Sequence, residues 1–174
     1  MNYFISDTHF GHDNVIRFCD RPYINADDMD AKLIDNWNSV VTDKDVVYIL
    51  GDMFFRNSYD PKVILKQLKG RKHLIIGNHD KWITEELRSY FKSIENIKIF
   101  KEDKKRFTLC HYPLATFVGD YMIFGHIHNT LNDSLCIELI TKTDNLLNAC
   151  VEINEYKPVT LEQLIKNNKK WKNQ

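Results

Sequence analysis

Asp7 and His9, Asp52, the run Asn78-His79-Asp80, His111, and the pair His126 and His128 are the residues of this chain best suited to metal and proton chemistry. Each group follows a short apolar run by one or a few residues, and glycines stand just before Asp52, Asn78 and His126. Asn is a poor strand residue and a good turn residue, so Leu74-Ile75-Ile76-Gly77-Asn78-His79-Asp80 reads as a strand delivering three polar side chains to one spot. Asn78 would offer a metal a neutral oxygen while His79 handles a proton. Asp7 and His9 are two apart, as are His126 and His128, so in extended segments each pair projects together. Taken alone, such pairs are common by chance. Together they place four of the seven histidines (His9, His79, His126 and His128) just past strand ends, and His111 adds a fifth.

The donors Asp7, His9, Asp52, Asn78, His111, His126 and His128 are too many for one tetrahedral ion, which takes about four ligands. They suit two ions sharing one carboxylate. Paired ions roughly 3.5–4 Å apart clamp the attacking and leaving oxygens of a phosphoryl displacement. A mixed oxygen and nitrogen set without thiolate favours Mn, Fe or Zn over an all-oxygen Mg or Ca site.

The elements that must position these donors read as alternating strands and helices. Tyr3–Ile5, Asp45–Leu50 and Leu74–Ile76 are buried-strand patterns, and Ile16 lies in a short helix. Met29, Leu33, Ile34, Trp37 and Val40 fall at helical spacing behind a cap at Asn25 or Asp27, with Trp37 in the core. Pro61 opens a helix that Gly70 closes, and Trp82 to Phe91 reads as an amphipathic helix. This order predicts helices packed on a largely parallel sheet. Further on, Ile97–Phe100, Arg106–Cys110, Tyr121–Phe124, Leu135–Ile140 and Cys150–Ile153 read as strands of a second sheet packed on the first. Val159 to Trp171 reads as a polar helix. The expected class is α/β: two packed mixed sheets, a sandwich core flanked by helices, in one domain over residues 1–174.

Composition adds limits. At 174 residues with 43% hydrophobic and 28% charged side chains, the chain can bury a real core. A net charge of +0 supplies no bulk attraction to nucleic acid or anionic membrane. The cysteines at 19, 110, 136 and 150 lack paired zinc spacing, so reduced and mostly packed thiols are expected. No apolar run approaches the roughly 20 residues of a membrane helix. The N-terminus enters a strand pattern directly, so a cytoplasmic protein without signal peptide is expected. No obligate protein partner is evident.

In this order, Asp7-x-His9, Gly51-Asp52, Gly77-Asn78-His79-Asp80, His111 and Gly125-His126-x-His128 resemble the signature of the calcineurin-like metallophosphoesterases. The length is similar to that of the small bacterial and phage members, and Asn148-Ala149-Cys150-Val151-Glu152 resembles their last strand. The resemblance implies that Asp7, His9 and His128 hold one divalent ion and Asn78, His111 and His126 a second, with Asp52 bridging. Mn is the favoured cofactor, with Fe or Zn as alternatives. It implies attack on phosphorus by a hydroxide shared between the ions, with His79 as general acid and Asp80 orienting it. Arg56, His12 and Asn78 are the expected substrate contacts. Arg56 is otherwise an ordinary surface arginine, and His12 a capping or surface histidine. Phe55 departs from the pattern, standing where the phosphatases of the family carry a second Asp.

A diester carries one charge fewer than a monoester and needs less cationic clamping, and arginines near these rims are few: Arg56, with Arg17 or Arg21 as candidates. The expected substrate is therefore a small phosphodiester or nucleotide, with nucleic acid entering only as substrate. The alternatives are a phosphomonoesterase using the same site, or a catalytically silent metal-binding module.

Overall fold

The computed structural model describes residues 1–55, 60–131 and 134–174. Arg56, the expected phosphate contact, lies outside the described residues. The first sheet contains β1 (Asn2–Ile5), β2 (Val46–Ile49), β3 (Arg71–Ile75) and β4 (Phe91–Glu95) in that order, every neighbouring pair parallel. The second contains β5 (Ile97–Glu102), β6 (Lys105–Cys110), β7 (Tyr121–Phe124) and β8 (Leu146–Asn148). There β5 runs antiparallel to β6, while β6, β7 and β8 are parallel.

The period-2 alternation of the strands sorts their side chains into layers. Tyr3, Ile5, Val47, Ile49 and Leu74 face one way, onto Met29, Leu33 and Trp37 of α2 (Ala26–Val40) and Ile64 and Leu65 of α3 (Pro61–Leu65). Phe4, Tyr48, Leu50 and Ile75 face the other way, meeting Phe107, Leu109, Ile123 and Leu147 of the second sheet. On the far side of that sheet, Met122, Phe124 and Leu146 pack against Ile137 and Ile140 of α5 (Leu135–Lys142) and Trp171 of α6 (Leu161–Lys172). Central strands buried on both faces need continuous apolar runs, which is why their sequences read so clearly. Among the described residues no helix is long and apolar enough to cross a membrane. Cys19, Cys110 and Cys150 are buried free thiols, and Cys136 is exposed.

Local rules explain most boundaries. Asn25 caps α2 by accepting from the Asp28 N–H, Asp60 and Pro61 start α3, and Thr160 with Gln163 forms a capping box for α6. Three expected elements are corrected. Leu135–Ile140 is helix, not strand: Ser134 caps it, and Ile137 and Ile140 are buried at helical spacing while Leu135 and Leu139 are exposed. A short apolar run rich in Ile does not distinguish the two periods. The helix expected from Trp82 to Phe91 shrinks to α4 (Glu85–Arg88), and Phe91 begins β4 beside β3. The strand expected over Cys150–Ile153 is a 3-10 turn at Val151–Ile153; the strand, β8, lies just before it, and Cys150 retains one bridge to Ser6. His73 stacks half-buried on Tyr48 at 5.2 Å.

The loop after β1 rests on a buried carboxylate. Asp30 of α2 accepts the Gly11 N–H at 2.9 and 3.1 Å. Burial, together with the nearby Asp27 and Asp13, pushes its carboxyl up to about 7 against that hydrogen bond. An acid whose folded pKa lies above its unfolded value of roughly 3.9 binds an extra proton in the native state, so stability falls as pH rises between those values. Asp30→Asn is expected to flatten this decline, raising Tm at about pH 8 more than at about pH 5. Equal shifts at both pH values in thermal melts would contradict it.

Candidate metal centre

Parallel strands within each sheet carry their carboxyl ends to one edge, the edge at which open α/β sheets gather ligands. Here the two sheets join at that edge. His111 after β6 places Nδ1 2.7 Å from the Leu50 carbonyl after β2, and the His126 N–H after β7 donates to Asp7 Oδ2 at 2.9 Å. The loops after β1 and β2 pair through Asp7 N–H to Gly51 O at 3.0 Å and His9 N–H to Asp52 O at 3.1 Å.

The side chains converge by a route the spacing does not show. Asp7, His9, Asp52, His126 and His128 all have left-handed backbone, with φ of 56°, 50°, 52°, 74° and 51°. The expected extended geometry at Asp7/His9 and His126/His128 is thus replaced by successive tight turns. Non-glycine residues in this region cost of order 1 kcal/mol or more each, and such strain clusters where a site must be held in shape. Close approach also explains the neighbouring glycines. A Cβ on Gly77 would strike the Asp52 side chain and lie 2.7 Å from its backbone nitrogen, and one on Gly125 would strike Ser6 and Asp7.

The result is two donor groups: Asp7, His9 and His128, and Asp52, His111 and His126. Asn78 joins the second, its Oδ1 3.0 Å from His111 Nε2. Asp52 stands between them. Its Oδ1 accepts the His79 N–H at 2.8 Å, while Oδ2 lies 3.9 Å from His9 Nε2 and 3.5 Å from His111 Nε2. Asp7 is divided likewise: Oδ2 accepts from His126 N–H, Ser6 Oγ and Cys150 Sγ.

Whether these residues suit a cation is answered by the atoms left over. Asp7 Oδ1 and both ring nitrogens of His9 are buried without a hydrogen-bond partner. Buried polar atoms are almost always paired, so an unpaired carboxylate oxygen facing an unpaired imidazole nitrogen suits a positive ion. Burial pushes His9 well below the usual histidine range, despite the nearby Asp52, which keeps it neutral and able to donate a lone pair. His111 behaves oppositely: burial would lower it, but the hydrogen bond to Asp52 and the charges of Asp7 and Asp52 hold it at about 9. A third group, Cys19, His128 and Glu152, is a poorer fit because the Arg21 guanidinium already lies 2.6 Å from Glu152.

The other expected site residues sort as follows. His79 stands beside the first group, its ring 5.5 Å from His9. Asp80 does not orient that ring by a hydrogen bond; it accepts from the Asp52, Met53 and Gly77 N–H groups and from Trp82 Nε1, bracing the turns that carry Asp52 and Asn78. His12 begins α1 (Asp13–Phe18) without capping it by its side chain; the ring lies flat on Phe55 at 3.6 Å and 5.4 Å from His9. Arg17 is turned to Asn14. Arg21 is buried behind the centre, donating to the Asp7 and Thr8 carbonyls at 2.7 and 2.9 Å. Sequence reasoning missed Glu152, Ser6 and Cys150 as partners of the donors; only the position of Glu152 at the end of a motif-like run hinted at it.

An uncharacterized protein of Methanocaldococcus jannaschii, MJ1445, is 36% identical over 170 residues, covering 94% of this chain and 89% of that protein. The gene 66 protein of Mycobacterium phage D29 is 40% identical over 82 residues, 45% of this chain and 40% of its own length. Among solved structures, AQ665 of Aquifex aeolicus, described as a protein of unknown function, matches with a TM-score of 0.76 at 31% identity, covering 95% of this chain and 98% of that one. A family model, calcineurin-like phosphoesterase, matches residues 3–171, a span that includes every donor at the shared rim. The chain therefore belongs to the calcineurin-like phosphoesterase family.

Proposed function

We propose that this protein is a phosphodiesterase working through two divalent ions, Mn in preference to Fe or Zn. The observation that carries the reading is the pair of donor groups sharing Asp52, with Asp7 Oδ1 and His9 Nε2 buried and unpaired. When bound, such ions polarise a phosphoryl oxygen and bring the pKa of water toward neutrality. Asp7, His9 and His128 would hold one ion, Asn78, His111 and His126 the other, and Asp52 both. His79 gives its proton to the departing ester oxygen as general acid. Its backbone is tied to Asp52 through the 2.8 Å hydrogen bond, so donor and metal ligand keep a set separation.

Preference for a diester rests on charge. Arg21 is engaged behind the centre and Arg17 with Asn14. Burial and the neighbouring His79 lower His12 to about 4, so at neutral pH it lines the site as an uncharged wall stacked on Phe55. A dianionic monoester would find little added cationic clamping from these groups. Assays of bis(p-nitrophenyl) phosphate against p-nitrophenyl phosphate, across Mn, Fe, Zn and Mg, test this. The expected result is a higher kcat/KM for the diester and loss of turnover after chelation. A strong monoester preference would reverse the substrate class while leaving the centre intact.

A further inference from the structure

We propose that Glu152 is a positioning residue for the metal centre, setting the His128 ring so that Nε2 faces Asp7 and His9; the inference rests on the metal-centre reading above. His128 Nδ1 lies 2.8 Å from Glu152 Oε1, and its Nε2 lies 3.9 Å from Asp7 Oδ1. An imidazole that donates from Nδ1 keeps Nε2 for a cation, and such outer partners fix both tautomer and ring angle. His111 uses the same device with the Leu50 carbonyl at 2.7 Å, so the two donor groups have separate supports. The His128 backbone is held independently, its carbonyl accepting from Asn148 Nδ2 at 2.7 Å. Removing the Glu152 carboxylate therefore frees the ring rather than the loop.

The geometry of the Arg21–Glu152 pair argues against a purely structural ion pair. Arg21 could meet a carboxylate through two parallel hydrogen bonds, the strongest arrangement open to it. Instead Arg21 Nε and Nη2 both reach Oε1, at 3.1 and 2.6 Å, the same oxygen that holds His128. Glu152 Oε2 is left buried and unpaired. A buried pair gains little over apolar packing, so a lopsided one is poorly explained by stability alone. Arg21 then continues to the carbonyls of Asp7 and Thr8, between the donors Asp7 and His9. One carboxylate thus ties His128 to the backbone carrying the other two donors of its group.

The test is calorimetric titration of Mn into the metal-free chain, native and Glu152→Gln, with thermal melts of both metal-free proteins. The native chain is expected to bind two ions. Glu152→Gln is expected to weaken one step roughly 10- to 100-fold and leave the other unchanged. Should that variant fail to fold, Glu152→Asp retains the charge for Arg21 but falls short of His128, and should weaken the same step. Unchanged isotherms in a folded variant overturn the inference, as does equal weakening of both steps, which marks a general structural role. A native chain that binds no ion overturns it together with the centre. Native binding without ester turnover, combined with the selective loss, would sink the proposed reaction and leave the positioning role standing.

Discussion

Asp52→Asn is expected to reduce kcat on any phosphate ester by roughly 10³-fold or more, because clamping by two ions is worth several kcal/mol and each 1.4 kcal/mol is a decade in rate. Asp52 is the donor that belongs to both groups: Oδ2 faces His9 Nε2 at 3.9 Å and His111 Nε2 at 3.5 Å. Hydrogen bonds and nearby histidines hold its carboxyl down to about 2 despite burial, so the site is built around its negative charge. An asparagine has the same shape and can still accept the His79 N–H. The loss should therefore appear in metal content and kcat rather than in folding. Metal analysis should give fewer ions per chain, and circular dichroism should be unchanged. Full activity with a full metal complement would remove the bridging role.

His79→Ala is expected to behave differently, keeping both ions while lowering kcat roughly 10²- to 10⁴-fold on esters with alkoxide leaving groups. On a nitrophenyl ester the loss should be small, since a nitrophenolate departs without a proton. This contrast separates proton donation from metal binding. The ring stands 5.5 Å from His9, near the centre, yet His79 belongs to neither donor group among the described residues. An equal loss on both ester classes, or a loss of metal, would rule out the acid role.

Much of the scaffold was legible because physics leaves a strong trace in central parallel strands. Strands such as Val46–Ile49 are packed on both faces, so their apolar runs stand out, and the rims after them are punctuated by glycines that cannot bear a Cβ. Leu135–Ile140 is ambiguous in sequence because its length and composition suit either period; its capping Ser134 and the packing against Met122 and Phe124 settle it as helix. Asp80 illustrates a different limit of local pattern. Adjacency to His79 suggested a pair, but its oxygens reach backward to three backbone N–H groups, a relation only the folded turn displays.

The sequence by itself determined which atoms could meet a cation: the order and types of Asp7, His9, Asp52, Asn78, His111, His126 and His128, each just past a strand end. Donor chemistry is a property of the side chain, and strand endings follow from local pattern, so both survive in one dimension. Only the tertiary structure decided which of those atoms are free. Left-handed backbone at five of these positions aims them inward, the His126 N–H occupies one oxygen of Asp7 and leaves the other, and Leu50 and Glu152 choose the open nitrogens of His111 and His128. Arg21 and Glu152 stand 131 residues apart in the chain, and nothing local to either announces that Arg21 and His128 share one buried oxygen of Glu152 behind the centre.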